Sequence, residues 1–145
     1  MADLSDYARL VARDHGLATV STLRADQTIQ ASVVNTGVLD HRGHQVVGFT
    51  TRGDSRKLVN LRVRPRLAVT IRVGWEWVTV EGTAELLGPG DPAKGFDAEA
   101  VRLLLRAVFI AAGGTHDDWA TYDRVMAEER RDAVMIQPVR VYSGG

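Results

Sequence analysis

Arg66-Leu67-Ala68-Val69-Thr70-Ile71-Arg72-Val73-Gly74-Trp75-Glu76-Trp77-Val78-Thr79-Val80-Glu81-Gly82-Thr83-Ala84-Glu85-Leu86-Leu87 is the stretch whose reading decides the fold. In its first part Leu67, Val69, Ile71 and Val73 take one face, and Ala68, Thr70 and Arg72 take the other. In its second part Val78, Val80, Ala84 and Leu86 point one way, against Thr79, Glu81, Thr83 and Glu85. Successive side chains of a strand point to opposite faces, so this period of two reads as two half-buried strands. Gly74 is the turn between them. Gly82 interrupts the second strand, which marks a bulge or a close backbone approach.

The same reading extends in both directions. Residues 17–24, 28–39 and 45–51 are apolar and β-branched runs, with turns at Ala25-Asp26-Gln27 and Asp40–His44. They form an antiparallel meander. Residues 133–142 make a last strand, in which Pro138 marks an edge or a bulge. Helices are predicted over 3–14, capped by Asp3 or Ser5 and ended by Gly16, and over 54–63, stopped by Arg64-Pro65. Two more follow the loop Gly88–Pro92, around 95–112 and 116–131. Val101, Leu104, Leu105, Val108 and Ala112 give the first of these an apolar stripe. Six strands with few helices predict one α+β domain over 1–145, a small barrel decorated by helices.

Composition narrows the function classes. The chain has 145 residues, a formal net charge of zero and no cysteine. Zero charge gives no global attraction to nucleic acid or membrane. Without cysteine there is no disulfide framework, thiolate metal site or catalytic thiol. The opening MADLSDYARLVARDHG lacks a basic start followed by a long apolar run, and no apolar stretch is long enough to span a bilayer. A cytoplasmic protein is expected.

The segment with chemical content is Thr50-Thr51-Arg52-Gly53-Asp54-Ser55-Arg56-Lys57-Leu58-Val59-Asn60-Leu61. A strand ends in hydroxyls, a glycine turn follows, and a helix starts at Asp54 or Ser55. A helix N-terminus offers unpaired N–H groups and a partial positive charge, which suits an anion. Arg52, Arg56 and Lys57 add full charges, while Thr50, Thr51 and Ser55 add donors. A phosphate monoester or diester fits this set. The basic character continues through Arg62, Arg64, Arg66 and Arg72, and between 52 and 72 only Asp54 is acidic. A solvated helix with cations near its C-terminal end accounts for the same residues. A nucleic-acid module would use them too, but aromatics for base stacking are not interleaved among them. Neither a P-loop nor a dinucleotide-binding glycine fingerprint is present.

The order of these elements resembles the pyridoxamine 5′-phosphate oxidase-like split β-barrel superfamily. The resemblance rests on Leu17–Asp26, Gln30–Asn35, Ser55–Leu61 with Arg64-Pro65-Arg66, and Trp77–Leu86. His116-Asp117-Asp118-Trp119 with Tyr122, and the ending Val139-Arg140-Val141-Tyr142, resemble its actinobacterial branch that uses the deazaflavin F420. The resemblance implies a six-stranded antiparallel split β-barrel of the FMN-binding type, assembled as a homodimer with two interfacial cofactor sites. It implies that Ser55, Arg56 and Lys57 bind the cofactor phosphate, helped by Thr50 and Arg52. Val33, Val34 and Asn35 would lie along the ring, Asn60 would brace the loop, and Trp77 would pack near the ring or the substrate. The implied reaction is hydride transfer from F420 to an electron-poor double bond of a small molecule. F420 carries a carboxylate-rich tail that surplus arginines would suit. FMN shares the ribityl phosphate and is the alternative, and the superfamily also has haem-handling members. A non-catalytic storage or delivery protein would carry the same phosphate motif.

The remaining polar residues read more plainly. His15 ends the first helix, where the dipole favours it. His41 and His44 flank a turn and read as solvated rather than metal-binding. His116 stands before the acids that cap a helix. Trp75 and Trp77 share a strand face by period two, which suits packing between subunits. Ser21 and Ser32 have no partnered histidine for a hydrolase triad, and no carboxylate pair stands out for glycoside hydrolysis. No catalytic residue and no metal ligand is assigned.

Overall fold

The computed structural model describes residues 1–144. Its seven strands are β1 (Leu17–Leu23), β2 (Ile29–Asn35), β3 (Gly37–His41), β4 (His44–Thr51), β5 (Arg66–Val73), β6 (Glu76–Leu87) and β7 (Asp132–Gly144). Four helices accompany them: α1 (Leu4–Val11), α2 (Arg56–Val63), α3 (Ala98–Ala111) and α4 (Trp119–Glu128). All strands belong to one antiparallel sheet in the order β2-β1-β5-β6-β7-β4-β3. The fold is a split barrel of the α+β class.

The strand count corrects the expected six to seven. Residues 28–39, expected as one run, divide at Thr36 into β2 and β3, which lie at opposite edges of the sheet. The cause is tertiary. The Thr36 N–H and hydroxyl both donate to the Gly16 carbonyl, at 2.9 and 2.6 Å. That leaves Tyr7 to donate its phenolic proton to the Thr36 oxygen, 2.7 Å away. Gly16, at φ +64°, lies so close to Thr36 that a Cβ would fall 1.7 Å from its carbonyl oxygen. Only glycine tolerates both the backbone angle and the approach.

Two apolar layers result. The inner face of the curled sheet holds Val20, Val47, Phe49, Val69, Ile71, Val80, Val134 and Ile136, with Tyr7 and Leu10 of α1 and Leu58 and Leu61 of α2. The outer face near β4 and β7 holds Val46, Ala133 and Met135 under Val101, Leu105 and Val108 of α3 and Tyr122 of α4. Burying so many branched side chains fully is worth about 1.5–3 kcal/mol each. Asp123 of α4 accepts from Arg102 and Arg106 of α3, each at 2.9 Å, and ties the two helices together.

The deciding hairpin forms as expected, with two differences. Val73 pairs with Glu76, so Trp75 sits in the turn at 90 % exposure and does not share the strand face of Trp77. Gly82 pairs with Pro138 while Glu81 pairs with Arg140, so Val139 is an extra residue and the bulge lies in β7. Gly82 is also the close approach: a Cβ there would lie 2.3 Å from the Gln137 carbonyl oxygen.

Candidate cofactor site

Helix α2 begins where the sequence places it. Ser55 is its N-cap, and its hydroxyl accepts from the Leu58 N–H at 3.3 Å. The backbone N–H groups just after the cap remain available to an anion. The far side of the helix is anchored by Asn60, which is buried and donates to the Thr22 hydroxyl at 3.0 Å. Asn60 thus ties α2 to β1 and is itself buried.

Lys57 is half-buried, and its ammonium donates to the Ser32 hydroxyl of β2 at 3.0 Å. No carboxylate pairs with it among the described residues. Burial holds its pKa below the ordinary lysine value, and the charge of Arg131 lowers it further. Arg131 itself donates to the Thr50 hydroxyl at 3.3 Å and is paired with Glu129 at 2.7 Å. Each of the two cations thus has a hydroxyl partner, and Lys57 feels the charge of Arg131 with no carboxylate of its own.

Next to them lies a cavity of about 350 Å3, walled by Val33, Val34, Asn35, Thr50, Phe109 and Arg131. The expected ring-lining residues and Thr50 are therefore brought together. Asn35 is fixed by donating to the His15 carbonyl at 3.0 Å. Arg56 is exposed and without a hydrogen-bond partner among the described residues, whereas Arg52 is shared between Asp54 and Glu129 at 3.4 and 3.3 Å. Trp77 stands apart from this cavity, edge-on to Tyr142 at 6.1 Å. It shares the outer sheet face with Val33, since the register carries that face through Thr19, Thr70, Thr79 and Tyr142.

Arg131 is the residue the sequence reading misses. Its signal was present, in the charged run Glu128-Glu129-Arg130-Arg131-Asp132 just before the last strand. The histidines differ as well. His41 is buried, with its Nε2 2.7 Å from Glu85 Oε1, so it is not solvated, while His44 is exposed. His116 accepts from the Asp118 N–H at 2.9 Å and packs among Phe109, Trp119 and Tyr122, and Asp118 caps α4. Among the described residues no cluster of His, Cys, Asp or Glu is arranged to hold a metal ion, and no helix is long and apolar enough to cross a membrane.

The profile of the pyridoxamine 5′-phosphate oxidase family matches residues 4–142. The chain belongs to this family. Solved structures agree on the fold. A conserved hypothetical protein from Mycobacterium tuberculosis is 21 % identical, covers 99 % of this chain and 84 % of its own, and superposes with a TM-score of 0.69. An F420 reductase is 15 % identical over 94 % of this chain and 95 % of its own, with a TM-score of 0.63. A pyridoxamine 5′-phosphate oxidase-related, FMN-binding protein from Nostoc punctiforme is 11 % identical over 97 % of this chain and 81 % of its own, with a TM-score of 0.64. These solved structures share the fold with this chain at very low identity, and a shared fold does not by itself fix the chemistry.

Proposed function

We propose that this chain is an F420-dependent reductase that works as a homodimer. The observation that carries the reading is a half-buried Lys57 that has no carboxylate partner among the described residues and feels the charge of Arg131, which with Thr50 lines the cavity walled by Val33–Asn35. A buried cation is costly unless paired, and a phosphate between the two would offset their repulsion. The residues fit a ribityl phosphate at that point and a planar ring beside β2.

When bound, the deazaflavin supplies the hydride for an unsaturated substrate. The chain's own residues bind and orient. Lys57, Arg131 and the hydroxyls of Thr50 and Ser32 hold the anion, with Arg56 reaching from the exposed side and Ser55 fixing the helix start. Val33 gives the ring an apolar bed, beside the β2 backbone at Val34. Holding the reacting atoms in position is the catalytic lever that such a site provides.

The homodimer is supported by the outer face of β1 and β2. Leu17, Leu23, Ile29 and Val33 are apolar and exposed there, Val33 at 64 %. An apolar patch of this kind marks a contact surface. Trp77 lies on the same face, so a dimer built on it would bring the indole toward a neighbouring site.

One observation favours FMN instead. The arginine surplus that would suit an F420 tail is largely committed. Arg62 is paired with Asp91 at 2.8 Å, Arg64 donates to the Leu23 carbonyl at 3.0 Å, and Arg72 donates to the Gly74 carbonyl at 2.8 Å. Side-by-side titration of the purified protein with F420, FMN and haem decides. Tighter binding of F420, followed by turnover with enones or quinones, is expected. Tighter binding of FMN transfers the reading to that cofactor, binding without turnover makes the protein a carrier, and binding of none refutes the assignment.

A further inference from the structure

A second cavity, of about 480 Å3, opens between the loop 88–97 and helices α3 and α4. It adjoins the first, because Tyr122, Met126 and Arg131 line both. Its size falls within the roughly 300–1,000 Å3 of ordinary ligand pockets. Its floor is apolar: Val101 and Leu105 of α3 and Phe96 of the loop contribute side chains.

The charged groups around it are already satisfied. Arg102 pairs with Glu99 and, at 2.9 Å, with Asp123, which also accepts from Arg106. Arg131 is engaged by Glu129 and Thr50. The Tyr122 hydroxyl donates to the Leu105 carbonyl at 3.0 Å. The loop wall offers few donors. Pro89 and Pro92 have no N–H, and the Gly88, Asp91 and Phe96 N–H groups are spent on turns within the loop. The Ala98 and Glu99 N–H groups at the start of α3 are the free donors on this lining and stand beside the carboxylates of Asp97, Glu99 and Asp123, so an anion would lose its water for little gain, whereas an apolar ligand would bury its surface against apolar walls.

We propose that this cavity binds a neutral, apolar, ring-sized small molecule. On the cofactor reading above, on which this role rests, that molecule is the substrate, separated from the ring bed by Tyr122 and Met126. The loop wall is held by Arg62, which donates to both oxygens of Asp91 at 2.8–3.2 Å.

The test uses the neutral fluorophore N-phenyl-1-naphthylamine on the intact protein. Saturable binding in the micromolar range with a blue-shifted emission is expected. Biphenyl-4-methanol should displace it about tenfold more effectively than biphenyl-4-carboxylate. Ala127→Phe and Ala98→Phe place a ring at the exposed rim from α4 and from α3. Each should weaken the fluorophore about tenfold or more while leaving the thermal midpoint unchanged, and either variant serves if the other fails to fold. No saturable binding, binding indifferent to both rim variants, or equal displacement by the carboxylate overturns the proposal. F420 and FMN titrations on the same samples separate the two readings. Lost cofactor binding with intact fluorophore binding removes the reductase, and the reverse removes only this cavity's role.

Discussion

The ammonium of Lys57 donates to the hydroxyl of Ser32 over 3.0 Å, joining the first turn of α2 to the edge strand β2. This bond spans the two elements that the candidate site needs. It is also an incomplete solution for a half-buried charge, since a hydroxyl neutralises nothing. Burial, and then the charge of Arg131, hold the lysine pKa below its ordinary value.

Lys57→Ala should therefore hurt binding more than folding. Losing a charge-assisted hydrogen bond to phosphate costs about 1.5–3 kcal/mol, roughly a tenfold to hundredfold rise in Kd. Folding stability should change by less than about 1 kcal/mol, because a poorly compensated cation is removed with it. Titration with F420 and FMN, alongside a denaturation curve, reads both. Unchanged affinity would refute the role of Lys57.

Arg131→Gln should weaken the same ligand about tenfold or more. It should also raise the Lys57 pKa toward its ordinary value, because one of the two causes of the depression is gone. Two cations that share one anion act as a unit, so the Lys57→Ala, Arg131→Gln double variant should lose less than the sum of the single losses. Additive losses across that double-mutant cycle would show that the two residues hold different groups.

Much of this was legible in the sequence, for a physical reason that also explains the gaps. The strands around Gly74 and the cap at Ser55 depend on neighbours within a few residues, and alternation and capping record exactly such local constraints. The break at Thr36 depends on Gly16 and Tyr7, which no window around 28–39 contains. Arg131 gains its meaning from Thr50 and Lys57, brought to it only when β4 pairs with β7. Arg52, Arg62 and Arg64 look like free charge in sequence, and their partners Glu129, Asp91 and the Leu23 carbonyl are supplied by folding.

Gly82→Ala tests the bulge. The added methyl would sit 2.3 Å from the Gln137 carbonyl oxygen and 2.8 Å from the Ile136 side chain, so β6 and β7 must separate locally. Overpacking of this kind costs about 1–3 kcal/mol. A urea midpoint that falls accordingly is expected. An unchanged midpoint would mean that the two backbones are not held this closely.

Asp132→Asn tests a buried acid that the cofactor site does not use. Asp132 is fully buried beside Gly88, and neither carboxyl oxygen accepts a hydrogen bond among the described residues. Burial pushes its pKa up to about 8, and the facing Asp91 carboxyl adds to the shift, against the smaller opposing pull of Arg62 and Arg130. The folded state therefore holds a proton that the unfolded chain has released above its ordinary value of 3.8. Folding stability from this group is greatest below pH 4, declines as the pH rises from 4 toward 8, and stays at its lowest above 8. Asparagine cannot ionise, so the variant should lose this slope and gain roughly 1–3 kcal/mol on the parent between mildly acidic and mildly alkaline pH. Denaturation midpoints measured for both proteins at pH 5 and pH 8.5 decide it. If the difference between them does not grow with pH, Asp132 is ionised in the folded protein and some unseen partner holds its charge.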